Sequence, residues 1–339
     1  MNRKMLTLIA VPLLAVALAA SAVAFVPGIL NVFSAGPMTA TSIGAPAWKV
    51  GDTWTYNVSL ASMDERQVLP EEMILQPTPS SDALVAGTLT ETVVGNVPTP
   101  YGPAWNTTVD ATLGFGEPAP ANGTQPVLQP VSMHAATVTG FVWYRTSDLA
   151  PIYALKTVSM GGTWTVSAGT ITMFGTLANA TYSLSYTSTT QVWYRPPLAV
   201  WHFPLVPNES WNVSSNATVH FASTFDLMGP NVTFATNHSA TFTVPLDFAM
   251  RTGAFENLTT PAGTFHSLSV WATHREFPEV SDADASATMN LTGDMDLSMP
   301  RVLASAWFSG QVGNVVRADL GLGLYGPRVE LDLVSYSYT

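Results

Sequence analysis

The sequence of 339 residues contains no cysteine and few charged side chains. The absence of cysteine excludes disulfide bonds, thiolate zinc sites, thioether haem attachment and cysteine nucleophiles. Charged residues form 10% of the chain, against about a quarter in an average soluble protein, and the formal net charge is −11. Because an acidic chain offers no basic surface to neutralise phosphates, we expect no nucleic-acid partner.

The local motifs of common hydrolases are absent as well. There is no G-x-S-x-G elbow, no S-x-x-K pair and no H-E-x-x-H. The histidines are scattered, and His266 and His274 would share one face of a strand about 26 Å apart, too far to bind one metal ion. The sequence therefore predicts a protein without catalytic activity and without a cofactor. A secreted hydrolase with unrecognised carboxylates is an alternative.

No amphipathic helical pattern follows Trp48, and an alternation of apolar and polar residues takes its place. The alternating stretches are rich in Val, Thr, Tyr, Phe and Trp, and turn-forming residues bound them, as is typical of strands. They predict an all-β fold, either an antiparallel curved sheet, a sandwich or an open barrel. Pro-rich runs at 69–80, 98–103 and 117–130 are predicted to be long surface loops. The predicted strands are 52–60, 84–95, 137–144, 163–174, 181–190, 211–225, 241–248, 265–275, 303–319 and 329–339.

Asparagine has an unusual distribution in this chain. Eleven of the 15 asparagines stand in Asn-x-Ser/Thr with x never proline, where the Ser and Thr content alone would give about three. This excess predicts an exported protein with N-linked glycans on its surface. Accidental sequons in Thr-rich strands are the alternative. The sites are Asn57, Asn106, Asn122, Asn179, Asn208, Asn212, Asn216, Asn231, Asn237, Asn257 and Asn290.

The N-terminus has the features of an export signal. Two basic residues at positions 3 and 4 precede an uncharged run rich in Leu, Ala and Val, and Ala-Val-Ala at 22–24 suits a cleavage site. Residues 1–24 are therefore predicted to be a signal peptide or, because the run is long enough to cross a bilayer, a signal-anchor helix. Residues 25–46 have the Pro, Gly, Ser and Thr content of a tether. Residues 47–339 are predicted to form one extended β domain.

Four aspartates lie close together in the chain, at Asp282, Asp284, Asp294 and Asp296. Within each pair the two residues share one face of a strand, and oxygen ligands at this density suit calcium. The spacing does not match an EF-hand loop. A weak calcium site and a solvated acidic hairpin are therefore both open interpretations.

Two stretches of the chain resemble each other. AWKVGDTWTYNVS at 47–59 and FPLVPNESWNVS at 203–214 share an apolar lead-in, a turn, an acidic residue and a tryptophan. A duplication into halves 47–196 and 197–339 explains the similarity, and so does convergent use of one kind of strand start.

The tryptophans have two interpretations. Trp54, Trp164 and Trp211 each follow a turn, where a large ring closes the end of a sheet over the core. Trp143 and Trp193 lie next to Tyr and Arg in two copies of V-W-Y-R, where a stacked pair is an equal alternative. Core or rim packing is favoured, and a carbohydrate platform is the alternative.

Four motifs occur in order along the chain: W-x-x-G-D-x-W-x-Y at 48–56, Y-x-P-P with F-P-L and Trp at 194–211, P-A-G-T-F at 261–265, and V-G-x-V-V-R at 312–317. Together they resemble an uncharacterised family of exported, β-rich bacterial and archaeal proteins, often lipoproteins. The resemblance covers about 47–339 and implies a curved sheet, with no catalytic residue to transfer. Without cysteine there is no lipobox, so a lipid anchor is not expected. The P-A-G-T-F motif itself predicts the corner of a hairpin.

These features predict an exported, N-glycosylated cell-surface structural or binding protein. The main alternative is a carrier that holds an apolar ligand in a curved-sheet pocket. The expected partners are a surface protein, a glycan or an apolar ligand, and the membrane if the N-terminal segment is retained. The predicted location is extracellular or at the cell surface.

Overall fold

The structure is a computed structural model, and all regular structure in its described residues is β. It describes residues 42–61, 83–115, 132–133, 135–166, 171–172, 175–176, 180–230, 232–274, 302–321 and 328–338. The predicted leader, most of the tether, the four clustered aspartates and four sequons lie outside these ranges. Within them, no helix has the length and apolar character needed to cross a membrane.

Fifteen strands are present in the described part of the chain. They are β1 (Thr53–Ala61), β2 (Ala83–Thr99), β3 (Gly102–Phe115), β4 (Ser132–Met133), β5 (Ala136–Arg145), β6 (Pro151–Val166), β7 (Ile171–Thr172), β8 (Gly175–Thr176), β9 (Ala180–Arg195), β10 (Ser210–Gly229), β11 (Val232–Thr260), β12 (Gly263–His274), β13 (Val302–Ser309), β14 (Asn314–Gly321) and β15 (Arg328–Ser337).

Twelve of these strands close into one antiparallel barrel. Their order around it is β1, β2, β3, β5, β6, β9, β10, β11, β12, β13, β14 and β15, and β15 pairs back with β1. Short β4 pairs with the far end of β6 in line with β5, and β7 pairs with β8 separately. The predicted all-β antiparallel fold is confirmed. The barrel is closed rather than open because β1 and β15 cover each other's edge, which removes the exposed seam of an open sheet.

The alternation that predicted the strands also separates the two faces of the barrel. In β5, Ala136, Val138, Val142 and Tyr144 point inward and are buried, and the residues between them are exposed or half-buried. Burial of such apolar surface contributes about 25 cal/mol per Å². Threonine is frequent on the outer face, where hydroxyls pair across strands. These pairs include Thr55 with Thr90, Thr157 with Thr189, and Thr218 with Thr243.

One end of the barrel is closed by two segments that lie outside the strands, and we call it the plugged end. Residues 42–52 precede β1, and residues 196–209 connect β9 to β10. Ile43 and Leu205 join the two segments through a pair of backbone hydrogen bonds of 2.8 Å. Both side chains are buried, so the plug belongs to the hydrophobic core.

Aromatic rings connect this plug to the barrel wall. Trp48 lies 5.1 Å from Trp54 and 5.7 Å from Tyr144, measured between ring centroids, and Trp201 lies 5.7 Å from Phe308. Two indole nitrogens donate hydrogen bonds to carbonyls of the β13–β14 turn: Trp48 donates to Gly313 O and Trp54 donates to Val312 O. The predicted role of Trp54 as a ring that closes the core is therefore confirmed.

Several sequence predictions are wrong in detail. The prediction of one strand over 303–319 is wrong, because the Gly-Gln-Val-Gly turn at 310–313, with a positive φ at Gly313, divides the stretch into β13 and β14. Strand β6 begins earlier than the predicted 163–174, at Pro151. The Pro-rich run 98–103 is a two-residue hairpin turn between β2 and the unpredicted strand β3 rather than a long loop.

Each of the two sequence halves contributes six strands to the barrel, and both halves begin in the same way. In each half, a residue with positive φ and the acidic residue after it form backbone hydrogen bonds to the neighbouring strand, just before the tryptophan of the first strand. The hydrogen bonds are Gly51 N to Val93 O and Val93 N to Asp52 O in the first half, and Asn208 N to Gly253 O and Thr252 N to Glu209 O in the second. The φ angles of 99° at Gly51 and 60° at Asn208 explain these residues, since glycine and asparagine tolerate this region best.

The correspondence continues into the next turns. Thr99–Gly102 and Thr260–Gly263 both read Thr-Pro-x-Gly and both join a long strand to its successor, with positive φ at each glycine. The second turn confirms the predicted hairpin corner in P-A-G-T-F, and Glu256 pairs with Ser267 across it. These shared features extend the similarity of the two halves beyond a single strand start.

Candidate functional site

Two charged side chains lie in the barrel interior. Glu91 on β2 is 1% exposed and Lys156 on β6 is 2% exposed. They belong to one row of cross-strand neighbours that runs Glu91, Val109, Gly140 and Lys156. A side chain at Gly140 would place its Cβ 2.1 Å from the carbonyl oxygen of Leu155. Glycine is therefore required there, and this part of the row carries no side chain.

Burial controls the chemistry of this interior pair. Desolvation lowers the pKa of Lys156 from its ordinary 10.5 to about 7, and the Glu91 carboxylate opposes the shift. The Lys156 Nζ makes no hydrogen bond to the described part of the chain. Burial likewise raises the pKa of Tyr56, with a further increase from Glu91, and its hydroxyl donates to Val315 O at 3.1 Å. The interior thus contains a partly neutral amine near a carboxylate within an apolar wall.

A second candidate site lies on the outer face, where β5, β6 and β9 meet. Trp143, Tyr153 and Trp193 are successive cross-strand neighbours, and Phe141 lies two residues before Trp143. We call these four residues the aromatic row. Ring centroids are 5.0 Å apart for Trp143 and Tyr153, 4.2 Å for Tyr153 and Trp193, and 6.0 Å for the two tryptophans. The two tryptophans meet edge to face, with an interplanar angle of 82°, and not as a stacked pair.

The aromatic row is only partly covered. Tyr153 is 8% exposed, and the other three rings are half-buried. The Arg195 guanidinium carbon lies 6.0 Å from the Trp193 ring centroid, at the limit of a cation–π contact. Flat aromatic faces with a polar border suit a ligand that has both apolar and polar surfaces.

Seven of the eleven predicted glycosylation sites lie in the described residues. Six are exposed and Asn106 is half-buried. The exposed sites are Asn57, Asn208, Asn212, Asn216, Asn237 and Asn257. Asn122, Asn179, Asn231 and Asn290 lie outside the described residues.

The predicted metal ligands form no cluster that the structure describes. Asp282, Asp284, Asp294 and Asp296 lie outside the described ranges, and within those ranges no three acidic or histidine side chains converge on a metal position. His266 instead stacks on Phe255 at 4.9 Å, and its Nδ1 lies 3.2 Å from Asn257 Oδ1.

A shallow groove of about 310 Å³ crosses the outer face of β9, β10 and β11. Its lining is mainly threonine, serine and asparagine, including sequon Asn237. This lining suits polar groups and lacks the apolar surface that a hydrophobic carrier needs.

Comparison with known proteins gave no match to this chain among family models, curated proteins or solved structures. The family resemblance drawn from the four motifs therefore stays a prediction.

Sequence reasoning missed Glu91 and Lys156, although a signal for both was present. Glu91 alternates in step with Leu89 and Val93, and Lys156 alternates in step with Val158. A charged residue at a position where the alternation of the strand calls for an apolar residue indicates a buried charge.

Proposed function

We propose that the protein is an exported, N-glycosylated surface module that acts by structure or binding and not by catalysis. The observation that carries this proposal is the division between the two faces of the barrel. Sequon asparagines are on its exposed surface, and large apolar and aromatic side chains fill the plugged end. A surface rich in hydroxyls and glycans keeps a chain with few charges hydrated, which explains how 10% charged residues suffice.

Mass spectrometry of the protein isolated from the cells that produce it tests both parts of this proposal. The mature chain is expected to begin at Phe25 if the leader is cleaved, or at Met1 if the leader is retained as an anchor. Peptides that contain the exposed sequons are expected to carry glycans. A chain isolated from the cytoplasm without a glycan at any sequon would contradict the proposal.

A carrier of an apolar ligand is the second candidate, and Lys156 is the observation that favours it. An amine without a hydrogen-bond partner in an apolar interior is suited to the carboxylate of an amphiphilic molecule, which would neutralise its charge. The polar groove on the outer face gives this candidate no support.

Organic extraction of the purified full chain tests the carrier function. Mass spectrometry of the extract is expected to detect a carboxylate-bearing amphiphile at up to one molecule per chain, and at least tenfold less from Lys156→Met. Lys49→Met is the matched control, because Lys49 is exposed outside the strands. An extract without such a molecule, or equal yields from both variants, would exclude this role for Lys156.

A further inference from the structure

We propose that the aromatic row is the docking platform for the glycan attached to Asn106. This inference rests on the proposed glycosylation of the exported chain and adds a structural role for one glycan. The ligand is a pyranose ring, whose apolar C–H face stacks on an aromatic ring while its hydroxyls stay hydrated.

The position of the sequon in the sheet is the main argument. Asn106 lies directly across from Trp143, and Thr108, the hydroxyl residue of the same sequon, lies directly across from Phe141. Directly opposed residues have Cβ atoms about 5 Å apart, so both outward sequon residues face an aromatic ring. The two rings are inclined by 30° with centroids 5.9 Å apart, and together they form a nearly continuous surface beside Asn106.

The other side of Asn106 is open. Its neighbour on β2 is Gly95, where an added Cβ would meet nothing within 4 Å. The Asn106 Oδ1 atom is buried and makes no hydrogen bond to the described residues. A half-buried amide with its oxygen turned inward presents its nitrogen, the atom that carries an N-glycan, on the outer side.

The second half of the barrel provides a contrast. Trp307 on β13 is followed by a buried aromatic residue, Phe308, just as Trp143 is followed by Tyr144. Trp307 is on the outer face as well, but it is 8% exposed and its indole nitrogen donates to Glu256 Oε1 at 2.5 Å. Protein thus covers this tryptophan, whereas Trp143 is half-buried and lies directly across from Asn106.

Asn57 is a matched control within the same barrel. It is an exposed sequon asparagine in the middle of a strand, but its cross-strand neighbours are Thr88 and Asp332. A glycan there has no aromatic residue directly opposite. If the glycan at Asn106 stacks on the aromatic row, its effect on the melting temperature will depend on Trp143, and the effect of the glycan at Asn57 will not.

The test is a double-mutant cycle on the full chain made in a glycosylating host, with Asn106→Gln, Trp143→Leu and the double variant. Asn106→Gln is expected to lower the melting temperature by about 1–3 °C, and this loss should disappear when Trp143 is already Leu. Phe141→Leu serves as a second platform variant if Trp143→Leu does not fold. Asn57→Gln in the same two backgrounds should show no dependence on Trp143.

Three controls identify the source of any effect. Protein from a non-glycosylating host should lose the coupling, because no sugar is then present. Asn216→Gln tests whether the glycan at the other end, across from Arg195, uses the platform instead. Glycopeptide mapping reports whether Asn106 itself is occupied.

The outcomes separate this inference from the function on which it rests. Coupling between Asn106 and Trp143 only in glycosylated protein supports docking. An occupied Asn106 without coupling, coupling through Asn216 alone, or a bare Asn106 beside other occupied sequons would overturn docking and leave the proposed function standing. Bare asparagines at every sequon would overturn both.

Discussion

At the scale of single residues, the buried Lys156 is the clearest exception to the pattern of the chain. Its amine is desolvated, and the unfolded chain would return it to water. The unfolded chain keeps the proton up to about pH 10.5 and the folded chain up to about pH 7. Between these values unfolding takes up a proton, so stability rises with pH across this window, and below it the penalty is present in full.

Lys156→Met is therefore expected to have its largest stability advantage over the wild type near pH 6, where the buried wild-type amine is charged in the folded state. The advantage should shrink by up to about 1.4 kcal/mol for each pH unit above 7, as the wild-type amine becomes neutral in the folded state. Chemical denaturation at several pH values measures both quantities. The exposed Lys49→Met is the control, and an advantage of Lys156→Met that is constant from pH 6 to pH 10 would refute a desolvated lysine.

The residues at the strand starts were easier to predict than those in the interior. Gly51 and Asn208 lie in turns that the sequence marks by residue type, because few residues accept a positive φ. To predict that Glu91 and Lys156 lie close together, one must know which face of β2 and of β6 each residue is on and which strands lie between them. The row crosses four paired strands, and the sequence of one strand does not show which strand pairs with it.

At the scale of elements, the tip of the β11–β12 hairpin covers the outer face of the strands that follow it. Ala262 N donates to Leu333 O at 3.1 Å, and Phe265 meets Tyr336 edge to face with centroids 5.9 Å apart. Glu256 accepts the indole N–H of Trp307. These contacts explain why the outward side of β12 is buried and what the P-A-G-T-F corner does: it fixes a hairpin tip onto the last strand.

The Glu256–Trp307 hydrogen bond is predicted to contribute about 1–2 kcal/mol, because its acceptor is charged and the tryptophan is buried. A cycle of Glu256→Ala, Trp307→Phe and the double variant, followed by urea unfolding, measures this coupling energy. Asp247→Ala is the control. Its carboxylate accepts a 3.1 Å hydrogen bond from the exposed Ser214, and the loss should stay below about 0.5 kcal/mol. If Glu256→Ala lowers the free energy of unfolding equally in the wild type and in Trp307→Phe, this hydrogen bond does not stabilise the hairpin tip.

Strand existence could be predicted from alternation, and strand boundaries could not. The stretch around β3 contains Pro103, Asn106 and Asp110, residues that are depleted in strands, and alternation predicts no strand there. The two pairings on which closure depends, β1 with β15 and β6 with β9, join segments that alternation cannot match. Alternation tells which side of a strand is buried and says nothing about the neighbouring strand.

At the scale of the whole molecule, the barrel is two six-stranded halves joined by the segment 196–209. The halves share their strand starts, their Thr-Pro-x-Gly turns and the order of an outward tryptophan before an inward aromatic residue. They differ on the outer face. In the second half the hairpin tip covers the tryptophan, and in the first half the aromatic row stays partly open beside a sequon.

In the proposed function, the outer face of this closed barrel is a glycosylated surface exposed outside the cell. Site-resolved glycopeptide mapping of the protein from its producing cells tests it most directly. Glycans are expected at exposed strand positions such as Asn57, Asn212, Asn216 and Asn237, and none at Asn96 and Asn314, which stand outside sequons. Unmodified asparagine at all of the exposed sequons would contradict it.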